Sequence, residues 1–367
     1  MSAPIRRFRT ATGDEGWLVT AHAEVRRLLA DERLGRAHPD PASAARTGDS
    51  ALFGGPLGDF DTEHADHVRM RSLLQPYFTP KRMRALESRV DTLTTGLLDD
   101  LAAHGSPTDL VEAVAVPLPI LVICELLGVP VEDRGEFRAR TEQAADTRNR
   151  ARSERGLASL FDYGRRLVAS KRAEPDDGVI AQLSTTDGVT DDEAAMLAMA
   201  LLFAGHETTV VQIGLGTMLL LSDRDQWRAL IDDPHLVDGA VEETLRVRHT
   251  GGLGGVPRYA RVDLEIDGAD IRVGDLVLLD INAANHDPTA FAKAEHLDVT
   301  RYAAAHLTFG HGARYCIGAP LARVELRSVL TGLLSRFPGM RLAAPRSELT
   351  LRTGTLTGGL TALPVAW

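Results

Sequence analysis

The chain has 367 residues, 44% of them hydrophobic and 25% charged, a balance that excludes intrinsic disorder. Its 41 basic and 51 acidic side chains give a formal charge of −10, which excludes duplex binding as the main function, because phosphate contacts need clustered cations. The two cysteines, Cys124 and Cys316, lie too far apart for a disulfide framework, and with no charged-then-apolar leader ahead of them the chain reads as cytoplasmic.

Ile5 and Phe8, then Trp17, Leu18 and Val19, alternate around Thr12-Gly13-Asp14 and predict a hairpin over residues 1–20. Val25, Leu28 and Leu29 keep helical spacing over 22–30. The Pro/Gly-rich stretch 36–59 then predicts a long loop, either a lid that contacts substrate or plain surface. Helical patterns follow over 64–75, 80–104, 118–127, 131–145, 152–172 and 191–221, with another ending near Val247. Gly251 to Gly255 opens a segment with strand-like runs at 264–266 and 276–279. A last helix runs from about Pro320 to Arg336, and the tail beyond Pro345 alternates like short strands. No repeat and no low-complexity linker divides the chain, so residues 1–367 read as one mainly α domain.

The 191–221 helix is apolar enough to suggest a membrane span. His206, Glu207 and Gln212 near its centre oppose that, since charge in hydrocarbon costs several kcal/mol, and a buried core helix fits better. Thr190 and Glu193 are spaced as a capping box at its start. Ala204-Gly205-His206-Glu207-Thr208-Thr209 places a glycine and an acid where neither favours helix, and predicts a local distortion. A hydroxyl beside a carboxylate is the minimum apparatus for relaying protons; the competing reading has Thr208 bonding back to a preceding carbonyl.

Phe309-Gly310-His311-Gly312-Ala313-Arg314-Tyr315-Cys316-Ile317-Gly318 leads into the last helix. A cysteine ahead of a helix N-terminus feels the positive end of the macrodipole, which predicts a lowered thiol pKa and a metal ligand or nucleophile. The glycines let the backbone approach a flat group closely, with Phe309 packed beneath it. An isolated cysteine is more often buried and inert. Glu243 and Arg246, three residues apart on a helix, are spaced for an ion pair, which alone is weak evidence.

Together these three segments resemble the cytochrome P-450 family of haem-thiolate monooxygenases, in particular its soluble bacterial members. The cysteine loop fits F-G-x-G-x-R-x-C-x-G at every fixed position, the long helix fits A-G-x-E-T-T, and Glu243 with Arg246 fits E-x-x-R. His67 with Arg71, Phe78-Thr79-Pro80, Arg258 in Pro-Arg-Tyr-Ala, and Asn285-His286-Asp287-Pro288 extend the match over nearly the whole chain.

The resemblance implies the family's fold, a large helical region with a long central helix and small β-sheets, and haem b (iron protoporphyrin IX) as cofactor. It implies Cys316 as the iron ligand, in a loop shaped by Phe309, Gly310 and Gly318. Arg71, Arg258, Arg314 and His67 would grip the propionates, a use for a basic complement in which only Lys81, Lys171 and Lys293 are not arginine. Ala204 and Gly205 would leave room for dioxygen, and Glu207 and Thr208 would deliver protons to it. Glu243 and Arg246 would fix the segment that supports the cysteine loop, with His296 or Arg301 completing the network. Against the family pattern the chain starts short, without an entry helix, and the glycines at 251–255 imply a wider pocket.

The activity implied is insertion of one oxygen atom of O2 into a hydrophobic small molecule, by hydroxylation or epoxidation, in specialised metabolism of polyketides, macrolides or terpenoids. Electrons would come from an external ferredoxin and ferredoxin reductase, since no G-x-G-x-x-G fingerprint joins a strand to a helix. Arg323 and Arg327 are candidates for docking that partner or simply a solvated face. The expected state is a monomer with no nucleic acid or membrane partner. Expected pocket walls are Leu52, Phe53 and Leu57, Leu201, Leu202 and Phe203, Leu253 and Val256, and Thr355 and Leu356. Other readings are desaturation, oxidative coupling or rearrangement at the same haem, a non-catalytic haem protein, and a haem-free cysteine hydrolase.

Overall fold

The computed structural model of the chain describes residues 5–51, 54–247, 255–301, 306–355 and 357–367. Strands β1 (Ile5–Arg9) and β2 (Glu15–Val19) form the hairpin expected from their alternation, followed by α1 (His22–Leu29) and the short β3 (Leu34–Gly35). The helical region comprises α2 (Glu63–Leu74), α3 (Pro80–His104), α4 (Pro117–Leu127), α5 (Arg134–Ala144), α6 (Arg150–Ala173), α7 (Val179–Ser184), α8 (Asp191–Ser222), α9 (Arg224–Asp232) and α10 (Val237–Val247), with β4 (Thr108–Asp109) between α3 and α4. Then come β5 (Gly255–Ala260), β6 (Leu264–Ile266), β7 (Ala269–Ile271), β8 (Leu276–Asp280), α11 (Ile281–Asn285), α12 (Ala319–Arg336), β9 (Arg341–Leu342) and β10 (Pro364–Ala366).

The main sheet has the order β1-β2-β8-β5-β3, in which only β2 and β8 pair in parallel; Trp17, Leu18 and Val19 face Val277, Leu278 and Leu279. Its buried residues form a core separate from that of the helices. In the helical core α8 is central, packed on α4, α6, α7, α10 and α12. It is long and apolar enough to cross a membrane by composition alone, but its residues from Ala194 to Leu221 are largely buried inside the fold, as the polar groups near its centre require.

Local signals explain most helix boundaries. Thr79 caps α3 by accepting from Arg82 N, Pro80 occupies its first turn, and Gly105 at φ 90° ends it. Thr190 caps α8 by accepting from Glu193 N, but the capping box is only half formed. The Glu193 carboxylate turns to Arg69 of α2, at 2.6 and 2.8 Å, because a guanidinium offers a charged, bidentate partner. The expected distortion of α8 at residues 204–209 is absent; the helix is continuous there. Beyond Pro345 the expected strands reduce, among the described residues, to isolated bridges of Leu351 with Leu360 and of Thr355 with Asp146, and to β10. The loop 36–59 holds no helix or strand among its described residues.

Candidate active site

The face of α8 bearing Ala204, Thr208 and Gln212, one residue every four, lines a cavity of about 340 Å³. The opposite wall is the loop containing Phe309, Gly310, Cys316 and Gly318, which leads into α12. Backbone geometry builds that loop: Cys316 N donates to Phe309 O at 2.8 Å and Gly310 N to Leu307 O at 2.8 Å, with Gly310 at φ 76°. Gly312, at φ 74°, passes Ala30 so closely that a Cβ would come within 2.8 Å of its methyl group. Gly205 also lines the cavity, and its missing side chain has a second use, since a Cβ there would lie 2.9 Å from Ile123 of α4.

The Cys316 thiol opens on the cavity. Burial pushes its pKa up, while the N–H groups of Gly318 and Ala319 and the guanidiniums of Arg71 and Arg323 pull it down; the net shift is upward. The sequence expectation of a lowered pKa is therefore reversed in the chain alone, because desolvation outweighs one helix terminus. A metal cation at the sulfur supplies the missing stabilisation of the thiolate.

Arg258 and Arg314 reach the cavity edge. Burial and the neighbouring guanidiniums of Arg36 and Arg314 lower Arg258 to about 9, and burial with Arg314 lowers Arg36 to about 10. Glu63 is the opposing charge in both cases. It accepts from Arg36 N at 2.7 Å, Ala37 N at 3.1 Å and Arg261 Nη1 at 3.1 Å, and also from Arg314. Arg258, buried beside other guanidiniums and held below its ordinary value, is a place where an anion at the cavity edge would be stabilised. His67 borders a smaller adjoining pocket of about 50 Å³ together with Glu63 and Arg314. Burial, then Arg314, Arg71 and His64, lower it to about 4, so it is a neutral imidazole here. Arg71 donates to Tyr315 O at 2.9 Å and so steadies the residue before Cys316.

Glu207 and Thr208 part company, as neighbours 100° apart on a helix must. Thr208 lines the cavity, and its Oγ1 donates to Ala204 O at 2.8 Å, the back-bonded arrangement that competed in the sequence reading. Glu207 is 5% exposed and lies behind the wall, accepting from Thr357 Oγ1 at 3.3 Å and lying 3.7 Å from His206 Nδ1.

Arg246 and Glu243 are buried and doubly bonded, at 2.8 and 2.7 Å. Arg301 Nε completes the network on Glu243 at 3.0 Å, whereas His296 contributes only its carbonyl, to Arg246 at 3.1 Å. Arg323 and Arg327 are not free cations: Arg323 is held by Glu242 at 2.6 and 2.8 Å, and Arg327 lies 3.2 Å from Glu87 and 3.3 Å from Asp238. That pairing removes much of the charge expected to attract an acidic partner.

Burial pushes the Glu242 carboxyl up, but hydrogen bonds from Arg323 and His306 outweigh it and bring the pKa to about 2. A carboxylate depressed on folding adds stability above its unfolded value and loses it as pH falls to the folded value. Glu242→Gln is therefore expected to flatten the acid unfolding curve between the ordinary 4.5 and about 2. An unchanged curve shape in that window would contradict the assignment.

Of the expected pocket walls, Leu201 and Val256 line the cavity, while Leu202 and Phe203 are buried in the helical core. Leu57 and Thr355 do not line it; Leu52, Phe53, Gly251 to Gly254, and Leu356 lie outside the described residues. The loop 36–59 is tied to the α5–α6 connection and the tail, since Asp49 N donates to Thr147 O at 3.3 Å and Thr147 N to Gly354 O at 3.0 Å. Sequence reasoning missed Glu63, Arg36 and Glu325. Glu63, His67 and Arg71 recur every four residues on one face of α2, a signal that was available.

Three comparisons bear on this geometry. The family model described as Cytochrome P450 matches residues 160–339. The chain is 41% identical to pentalenolactone synthase of Streptomyces exfoliatus over 99% of this chain and 93% of that protein. It is 38% identical to mycinamicin IV hydroxylase/epoxidase of Micromonospora griseorubida, over 99% and 92%. The crystal structure of SgvP, a putative thioether synthase in griseoviridin tailoring, superposes with a TM-score of 0.93 at 33% identity, covering 100% of this chain and 94% of that one.

Proposed function

Because the chain belongs to the cytochrome P450 family of haem-dependent monooxygenases, we propose that it hydroxylates or epoxidises a hydrophobic small molecule of specialised metabolism, of the polyketide, macrolide or terpenoid kind. The observation that carries this reading is the shared cavity, with Cys316 on one wall, Thr208 on the other and Arg258 and Arg314 at the edge. The residues present fit haem b: the Cys316 sulfur opens on the cavity as a soft ligand for iron, and the cationic side chains of Arg258 and Arg314 at its edge suit the propionates.

Haem, when bound, supplies the oxidising chemistry, and the protein supplies position, protons and exclusion of water. Cys316 holds the iron. Arg258 and Arg314 bind the propionates, with Arg71 and His67 beside them, and Glu63 fixes the direction of Arg314. Phe309, Gly310 and Gly318 set the loop that presents the sulfur. Ala204 and Gly205 keep the α8 wall low where dioxygen must lie. Thr208 holds a proton at Oγ1; its hydrogen is committed to Ala204 O, so donation into the cavity requires that bond to turn over. Glu207, behind Thr208 and in contact with Thr357, is the acid that restores the proton.

An external ferredoxin and its reductase supply the electrons to a single-domain, monomeric, cytoplasmic protein. The direct test is the carbon monoxide spectrum of the reduced protein, expected to show the red-shifted band of a thiolate ligand, followed by spectral titration with hydrophobic metabolites. A colourless protein without that band refutes the reading. Labelled dioxygen separates oxygen insertion, which leaves label in the product, from desaturation or coupling, which does not. Thr208→Ala is expected to lower product formed per electron pair by about a hundredfold, the low end of what a positioned proton donor contributes, with hydrogen peroxide rising to match. Unchanged coupling would remove Thr208 from the proton path.

A further inference from the structure

His206 of α8 carries a titratable ring that the chemistry above does not use. It is 1% exposed, and neither ring nitrogen has a hydrogen-bond partner among the described residues. Its packing explains a ring but not an imidazole: Phe137 of α5 meets it edge-on at 6.4 Å between centroids, a contact that phenylalanine would make as well. Burial lowers its pKa; Glu207 opposes that, Arg138 adds to it, and the Val116 backbone and Glu142 oppose it, with a net lowering. Arg138 is itself met by Glu142 at 3.1 Å and Glu112 at 3.6 Å, so α5 brings the ring no unmatched charge. His206 is therefore a neutral imidazole with one hydrogen to place on either nitrogen. The Glu207 carboxyl has a use for that hydrogen. It is 5% exposed, its Oε2 has the Thr357 hydroxyl at a long 3.3 Å, and its Oε1 lies 3.7 Å from His206 Nδ1. Once it has given up a proton, a carboxylate so buried needs a second donor, because one long hydrogen bond does not replace its water. At 3.7 Å no hydrogen bond is made, but closing to about 2.9 Å takes only a small rotation of a ring whose χ2 is broad.

We infer that His206 is the positioning residue of the Glu207 acid: its Nδ1–H turns to Oε1 when the carboxyl is ionised and holds the carboxylate between the imidazole and Thr357 until a proton returns. No proton leaves the ring in this role, and His206 touches neither substrate nor cofactor. The inference rests on the proposed function for the use made of Glu207; the pairing itself is a property of the chain.

Nitrogen-15 NMR of histidine-labelled protein, haem-free and as the diamagnetic reduced carbon monoxide complex, reads the ring directly. The His206 signal, identified by its loss in His206→Phe, is expected to move its hydrogen onto Nδ1 as pH rises and a carboxyl ionises, and to lose that transition in Glu207→Gln. In turnover, His206→Phe keeps the contact with Phe137 and is expected to lower product per electron pair at least about tenfold, the worth of a hydrogen bond to a charged group. His206→Asn, whose amide nitrogen stands where Nδ1 does, recovers most of that loss, whereas His206→Gln, whose amide reaches the Nε2 position, does not. Added to Glu207→Gln, His206→Phe costs nothing further, because His206 acts through that acid. The comparison of asparagine with glutamine keeps the test decisive if His206→Phe does not fold. A ring indifferent to Glu207→Gln, an asparagine variant no better than the glutamine one, or an added loss in the Glu207→Gln background overturns the inference. The carbon monoxide spectrum separates the two readings: an intact thiolate band with no Glu207-dependent change at His206 sinks only the role of His206, and a missing band with that change present sinks only the proposed function.

Discussion

Replacement of Cys316 by alanine is expected to abolish the thiolate-type carbon monoxide band and bring product formation to background, while leaving the fold in place. The loop does not depend on the sulfur for its shape. Its closing hydrogen bond runs from Cys316 N to Phe309 O, a backbone contact that alanine retains, and the glycine turns at 310 and 312 are untouched. Thermal unfolding of the haem-free variant should therefore fall within about 1 kcal/mol of wild type, as for substitutions that open no cavity. The arginine cluster is also unchanged, so Arg258 and Arg314 would still be available to the propionates while the sulfur is lost, a difference the absorption spectrum would report. Cys124→Ala is the control: that cysteine is fully buried in α4 and away from the cavity, so its loss should leave the thiolate band standing. A normal thiolate spectrum in Cys316→Ala would remove the site assignment altogether.

Arg246→Ala is expected to be strongly destabilising, by about 3–5 kcal/mol, the usual result of stripping one partner from a buried ion pair. The guanidinium serves five acceptors: both oxygens of Glu243 and the carbonyls of Asn285 and Ala294 at 2.8 and 2.7 Å and of His296 at 3.1 Å. Its loss also loosens the cysteine loop through a short chain of contacts. The Asn285 side chain accepts from Leu307 N at 2.7 Å and donates to Thr308 Oγ1 at 2.9 Å, and Thr308 in turn donates to Leu245 O. Arg246→Lys should fail nearly as badly, since an ammonium carries three donors and no planar fork. Arg301→Gln should be milder, because Glu243 keeps Arg246 and the backbone N–H of Asp298. Urea unfolding of the soluble fraction measures all three, and an Arg246→Ala protein within 1 kcal/mol of wild type would show the network to be dispensable.

The long helices and the cysteine loop were legible in the sequence because their signals are local. Pro80 to His104 matches α3 at both ends, where a threonine cap, a proline and a glycine coincide. Very short elements were missed, since they carry too few residues for a period to show: α7 has six and β3 has two. The site divided in the same way. Cys316, Thr208 and Arg258, singled out by their motifs, line one cavity, whereas Glu63 takes its place from the guanidiniums of Arg261 and Arg314, far away in sequence, that fold around it. Glu193 pointed to a capping box but found Arg69, and the thiol pKa followed burial rather than the helix end, both decided by tertiary neighbours.

The parallel pairing of β2 with β8 has a consequence for synthesis. The hairpin that opens the chain meets its first partner in the sheet only when residues 276–280 have left the ribosome, and Cys316 follows later still. Such distant contacts slow folding and leave strand edges uncovered meanwhile. A nascent chain halted before residue 316 would carry Arg71 and Arg258 but not the Cys316 thiol, so a prosthetic group held by that thiol could be secured only once residue 316 has emerged.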